Sequence, residues 1–131
     1  MSLNDEERQI IVNLEKEKAL NTFAEMEVLQ QAGLWNNIAN RLYYAAFHAV
    51  SALLIHDHYN VGTHQGAVLM LHQHYVRTGL LSKEDGAFYS QLQTLREKSD
   101  YNCTYNATKE DTAPRIPQTK QFIDKILGLI Q

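Results

Sequence analysis

The run Asn37-Ile38-Ala39-Asn40-Arg41-Leu42-Tyr43-Tyr44-Ala45-Ala46-Phe47-His48-Ala49-Val50-Ser51 repeats its apolar residues with a helical rhythm. Ile38, Leu42, Ala45, Ala49 and Leu53 follow at steps of four, three, four and four, which stacks them on one face of a helix. Ala39, Ala46 and Val50 widen that face until more than half the circumference is apolar. A helix of this kind sits at the centre of a bundle and touches several neighbours. The periodicity predicts it over Leu34 to Asp57, with a turn at Asn60 to Gly62.

One polar seam runs along this helix. Asn37, Arg41, Tyr44, His48 and Ser51 are spaced by four, three, four and three, and Asn40 lies beside them. An ordinary solvent face would carry Lys and Glu. This seam has neither; its amides, guanidinium, phenol and imidazole suit hydrogen bonding away from bulk water. It is read as an interface or a binding site, against the plainer alternative of an exposed amphipathic face.

Outward from there the chain alternates helix and short turn. A first helix is predicted over Asp5 to Ala32, with Asn4 as N-cap, acids in its first turn and Gly33 as terminator. A third is expected from Thr63 to Arg77, closed by Gly79. A fourth follows a capping box at Ser82 to Asp85 and runs to about Tyr101, turning Phe88, Leu92 and Leu95 inward. Asn102 to Ala107 is a loop. The last helix begins near Pro114 or Pro117, or is kinked there, because each proline removes a donor, and it ends near Ile130. No stretch alternates with period two. The fold class is all-α: an up-and-down bundle of four to five helices forming a single domain over residues 1–131.

The fourth helix carries a second polar strip, formed by Asp85, Tyr89, Gln93, Arg96, Asp100 and, just beyond, Cys103. Arg96 and Asp100 are one turn apart. A guanidinium held by a carboxylate is positioned, and its other donors can fork onto a phosphate. The plain reading is a surface ion pair worth about 0.2 to 0.5 kcal/mol.

Composition narrows the function. A net charge of −3 argues against a broad basic face that coats nucleic acid, while leaving room for a few cations converging in one groove. A lone cysteine, Cys103, forms no internal disulfide and fits a reducing cytoplasm. Met1 to Arg8 is polar and acidic, so no signal peptide is expected, and the best apolar run, Ala45 to Ile55, is too short to span a membrane. His72-x-His74 is a poor metal pair, since residues two apart on a helix point to different sides, and His56-x-His58, which with Asp57 sits at a helix end, could bind metal only adventitiously. There is no glycine-rich phosphate loop, and neither metal nor cofactor is expected.

The segment Asn40 to Ala49, the Thr63-His64-Gln65-Gly66 helix start, the Tyr75-Val76-Arg77-Thr78-Gly79 turn and Leu95-Arg96-Glu97-Lys98-Ser99-Asp100-Tyr101 together resemble the small prokaryotic HEPN proteins. That resemblance covers about residues 19 to 125. It implies a helical bundle that pairs as a two-fold homodimer, with both copies of one motif in a shared cleft. In active members the motif is an arginine followed four to six residues later by a histidine, and it supports metal-independent RNA cleavage. The resemblance also implies that many such proteins are encoded beside a small nucleotidyltransferase, as toxin and antitoxin, and that the nucleotidyltransferase can modify a tyrosine near the motif.

Arg96 stands in the arginine position, but Tyr101 stands where histidine would, and Cys103 where the modifiable tyrosine often lies. A phenol, which ordinarily titrates near pH 10, is a poor general base at neutral pH, though it can stack on a base or donate to phosphate. The resemblance therefore implies a dimeric nucleotide- or RNA-binding partner of a nucleotidyltransferase with a degenerate ribonuclease motif. The alternative is a metal-independent endoribonuclease toxin. Candidate catalytic residues are Arg96, Asp100 and Tyr101; candidate substrate-binding residues are Asn40, Arg41, Tyr44 and His48, with His48 also a possible source of the missing imidazole.

Overall fold

The computed structural model describes residues 3–60 and 62–130; Val61, at the centre of the expected turn, lies outside the described residues. The elements are α1 (Asp5–Phe23), α2 (Met26–Gln31), α3 (Trp35–His56), α4 (His64–Leu71) continued by a π-helical turn (His72–Val76), α5 (Lys83–Tyr101), α6 (Lys109–Thr112) and α7 (Arg115–Gly128). The architecture is an all-α bundle.

α3 is the axis. Ile38, Leu42, Ala45, Ala49 and Leu53 are fully buried, as are Ala39, Ala46 and Val50. The helix packs on α1, α5 and α7. Its length and composition would suffice to cross a membrane, contrary to the expectation from the shorter Ala45–Ile55 run. That helix spans 22 residues, and 67% of its most apolar window is covered by the rest of the protein. A central helix reaches the same hydropathy because its neighbours, not water, surround it.

Local signals account for most boundaries. Asn4 and Glu7 form a capping box on α1, and Ser82 and Asp85 form one on α5. Gly33 and Gly79 adopt left-handed φ values of 68° and 86° where chain reversals require them. Thr63 caps α4 by accepting the Gly66 N–H. Pro114 is the N-cap of α7 and Pro117 lies in its first turn, where a missing N–H has no intrahelical partner to lose.

Two expectations are corrected. The first helix is not continuous to Ala32: it tightens at Ala24 and Glu25, where ψ rises to −15° and −13°, and α2 resumes at Met26. The third is α-helical only to Leu71. Its last turn widens to a π-turn, and His72 then lies across Gly86 of α5. A Cβ on Gly86 would come within 2.8 Å of His72 Nε2 and 2.9 Å of Val76 Cγ2, so only glycine allows this approach.

Candidate functional site

The site is built on an aromatic ladder. Phe47 stacks on Tyr43 with centroids 6.0 Å apart, Tyr43 stacks on Tyr89 at 6.0 Å, and Tyr89 on Phe122 at 5.7 Å. A spacing of four on α3 stacks Phe47 and Tyr43, Tyr89 of α5 continues the stack, and Phe122 of α7 ends it. Tyr43 and Tyr89 are completely buried. Burial pushes the Tyr43 hydroxyl up to about 12, with the Tyr89 hydroxyl and the Arg96 charge pulling the other way. Burial raises Tyr89 as well, reinforced by Tyr43. Both phenols therefore stay protonated near neutral pH.

Arg96 closes the ladder. Its guanidinium carbon lies 5.0 Å from the Tyr43 centroid, 5.6 Å from Tyr44 and 5.7 Å from Tyr101. Three ring faces compensate part of the cost of holding a cation out of water. Arg96 is only 6% exposed. Its hydrogen bonding is nevertheless incomplete: Nη1 lies 3.5 Å from the Tyr101 hydroxyl, and Nε is buried with no partner. The nearest carboxylate, Asp100, stands 3.9 Å from Nη1. Asn40 holds that same Asp100 oxygen by donating to it at 2.9 Å. Five of the expected residues thus meet here: Asn40 and Tyr44 from α3, with Arg96, Asp100 and Tyr101 from α5. Tyr101 is 75% exposed and forms the outer wall.

Arg41 and His48 do not join them. Arg41 Nη2 donates to Thr22 Oγ1 and pairs with Glu25, both at 3.4 Å. His48 Nδ1 lies 2.8 Å from Glu15 of α1. The single seam read from spacing divides in two, because α3 meets α5 along one edge of the strip and α1–α2 along the other. Asn37 is exposed and borders a cleft of about 310 Å3 shared with Glu25, Leu29, Asn40, Arg41 and Asp100. The second strip is also less open than its spacing suggested. Tyr89, Gln93 and Arg96 are buried, Asp85 pairs with Lys125 of α7, and Cys103 is exposed.

The imidazole beside Arg96 is His64, which pattern reading passed over. Its Nδ1 lies 2.7 Å from the Tyr43 hydroxyl. Its ring is 5.5 Å from Tyr43, 5.7 Å from Tyr44 and 4.6 Å from Phe47. Burial lowers its pKa below the usual histidine value, and the Arg96 charge lowers it further while Glu97 opposes. Three further histidines have separate neighbours: His56 contacts Asp57, His72 contacts the Val68 carbonyl, and His74 stacks on Tyr59 at 4.1 Å. Among the described residues no three His, Cys, Asp or Glu side chains cluster as metal ligands would.

A helical bundle whose central helix meets a buried arginine on a motif-bearing partner helix is the arrangement expected of a HEPN protein. The HEPN domain family matches residues 12–129, and the chain belongs to that family. It is 28% identical over 125 residues to a UPF0332 protein of Thermotoga maritima, with 95% of each chain covered. A candidate toxin of Methanocaldococcus jannaschii is 28% identical over 121 residues, covering 92% of this chain and 87% of the relative. A second candidate toxin of the same organism is 27% identical over 109 residues, covering 83% of this chain and 74% of the relative.

Proposed function

We propose that this HEPN chain, as one domain, binds RNA or a nucleotide at Arg96, and acts as a cytoplasmic homodimer beside a nucleotidyltransferase with its ribonuclease motif degenerate. The observation that carries the reading is the guanidinium itself. It is the most buried of the arginines, is faced by three aromatic rings, and has only long contacts, to the Tyr101 hydroxyl at 3.5 Å and the Asp100 carboxylate at 3.9 Å. A buried cation in that state is short of close acceptors, and a phosphate oxygen supplies one in a geometry matched to the guanidinium fork. Tyr101, open to solvent on the far side of the same guanidinium, offers a face on which a base can stack. Asp100 and Asn40 steady the rim, and Tyr44 lines the floor. In a two-fold dimer the two Arg96 sites would share one cleft.

Anisotropy with a labelled single-stranded RNA tests this. Arg96→Ala is expected to weaken binding by roughly ten- to a hundredfold, the equivalent of one or two charged hydrogen bonds. Lys83→Ala, on an exposed lysine at the opposite end of α5, should leave affinity within about twofold. Equal affinities in the two variants overturn the assignment.

The second reading, a metal-independent endoribonuclease toxin, draws on the relatives from Methanocaldococcus jannaschii described as candidate toxins. It requires Arg96 to stabilise charge at the phosphate and Asp100 or Tyr101 to assist proton transfer. Growth arrest on expression of the wild type, relieved by Arg96→Ala, would favour it over simple binding; equal tolerance of both chains would dismiss it.

A further inference from the structure

We propose that His64 and Arg96 form a single phosphodiester site, with the imidazole aimed at the ligand by the buried Tyr43 hydroxyl and taking up a proton when the ligand binds. The proposal rests on the Arg96 reading above and adds a residue from a different helix.

Placement comes first. His64 opens α4 directly after its N-cap Thr63, so its backbone is fixed by the start of a helix. Tyr43 contacts Nδ1 at 2.7 Å, and Phe47 packs against the ring at 4.6 Å. Tyr43 keeps its proton at neutral pH and can donate it to Nδ1, which leaves the hydrogen of the neutral ring on Nε2. Tyr43 cannot itself move, since Phe47 and Tyr89 stack on it. Arg96 and His64 thus lie against the same two phenol rings, Tyr43 and Tyr44, each at 5.0 to 5.7 Å.

Electrostatics then couple the two groups. The neighbours facing His64 are Tyr43, Tyr44 and Phe47 from α3, and Arg96 and Glu97 from α5. Burial and the Arg96 cation both disfavour the imidazolium, and only Glu97 favours it. The unliganded site therefore holds one cation and a neutral imidazole. An anion at Arg96 cancels the repulsion and attracts a second positive charge, so the imidazole gains a proton as the ligand binds. Binding must then be tightest at acid pH and weaken as pH rises through the histidine pKa of the complex. The anion is a phosphodiester, supplied either by an RNA strand or by a free cyclic nucleotide.

The test uses two diester probes that carry constant charge across the range: a labelled single-stranded RNA and a nucleoside cyclic monophosphate. Affinity is measured from about pH 5 to about pH 8, the interval in which histidine titrates. The wild type is expected to lose affinity by up to about tenfold per pH unit in the upper part of that range, the limit for one coupled proton. His64→Gln should flatten the profile while remaining sensitive to Arg96→Ala. Tyr43→Phe keeps the ring but removes the hydroxyl, and should flatten it too; a merely structural role for Tyr43 would shift affinity equally at every pH. A profile for the RNA alone assigns the site to a strand, and a profile for the mononucleotide as well assigns it to the phosphodiester unit. If wild type and His64→Gln show the same profile with Arg96-dependent binding intact, this inference is overturned and the function is not. If neither probe binds the wild type at any pH, both fall together.

Discussion

The two edges of α3 carry similar side chains in opposite circumstances. Along α1 and α2 the polar groups of this edge have close acceptors: His48 meets Glu15 at 2.8 Å, Arg41 meets Glu25 and Thr22 at 3.4 Å, and Arg8 donates to the Ile55 carbonyl at 2.9 Å, although the Nε atoms of both arginines are buried without a partner. Along α5, Arg96 is more buried than any of these, yet its nearest carboxylate among the described residues stands 3.9 Å away and is held by Asn40. A polar seam that closes on itself ties helices together. One that leaves a buried cation short of acceptors is costly for the fold alone, and that cost makes sense where a ligand completes it. The difference in burial and in contact distance is what favours the α5 edge over the α1–α2 edge as the proposed binding site.

The largest expected effect lies at Arg96. Arg96→Met retains the volume and removes the charge, so RNA affinity should fall by roughly thirtyfold or more while urea unfolding stays within about 1 kcal/mol of wild type. A loss of several kcal/mol in stability would make Arg96 a pillar of the fold and erase the distinction between the two edges. The opposite pattern belongs to the α1 edge. Glu15→Ala leaves His48 half-buried without its acceptor and should cost about 1 kcal/mol of stability, with RNA affinity within about twofold of wild type. A smaller change is expected on the rim. Asn40→Ala frees Asp100 to approach Arg96 and compete with the ligand, lowering RNA affinity by about two- to fivefold, read in the same anisotropy assay.

The fold was largely legible because its signals are local. The α3 stripe, the Asn4 and Ser82 caps, the two left-handed glycines and the proline start of α7 all act within a turn of the chain. Where a helix end depended on packing, the sequence was silent: nothing local marks the tightening at Ala24, or the π-turn that lets His72 cross Gly86. The site was legible by half for the same reason. Asn40, Tyr44, Arg96 and Asp100 were visible through helical spacing, and Tyr101 only through the family resemblance. Spacing alone could not say that Arg41 and His48 face a different helix from Tyr44, because one step around the circumference decides which neighbour a side chain meets. His64 lies 32 residues before Arg96, and only the docking of α4 beside Tyr43 brings it near. Its signal in the sequence was a histidine directly after an N-cap threonine, which by itself suggests only a helix start.

The two ends of α5 repeat the contrast on one helix, and the smallest prediction concerns the end that is fully satisfied. Burial of the Asp85 carboxyl favours protonation, but the Ser82 N–H, the Lys125 ammonium and the Ser82 hydroxyl outweigh it and hold Asp85 below the usual carboxylate range. A carboxyl whose pKa is lowered by folding takes up protons more readily when unfolded, so its contribution is complete above about pH 4 and disappears as pH falls through the native value. Asp85→Asn should therefore reduce stability by about 0.5 to 1 kcal/mol at neutral pH, and the gap between variant and wild type should close toward pH 2. Lys125 is over half exposed, so most of the effect belongs to the cap and only a small part to the ion pair. Urea titrations of the two chains across that range decide it. A gap that persists in acid would mean that Asp85 acts through its shape and not its charge, and the N-terminal end of α5 would no longer be the charge-satisfied counterpart of the end that carries Arg96.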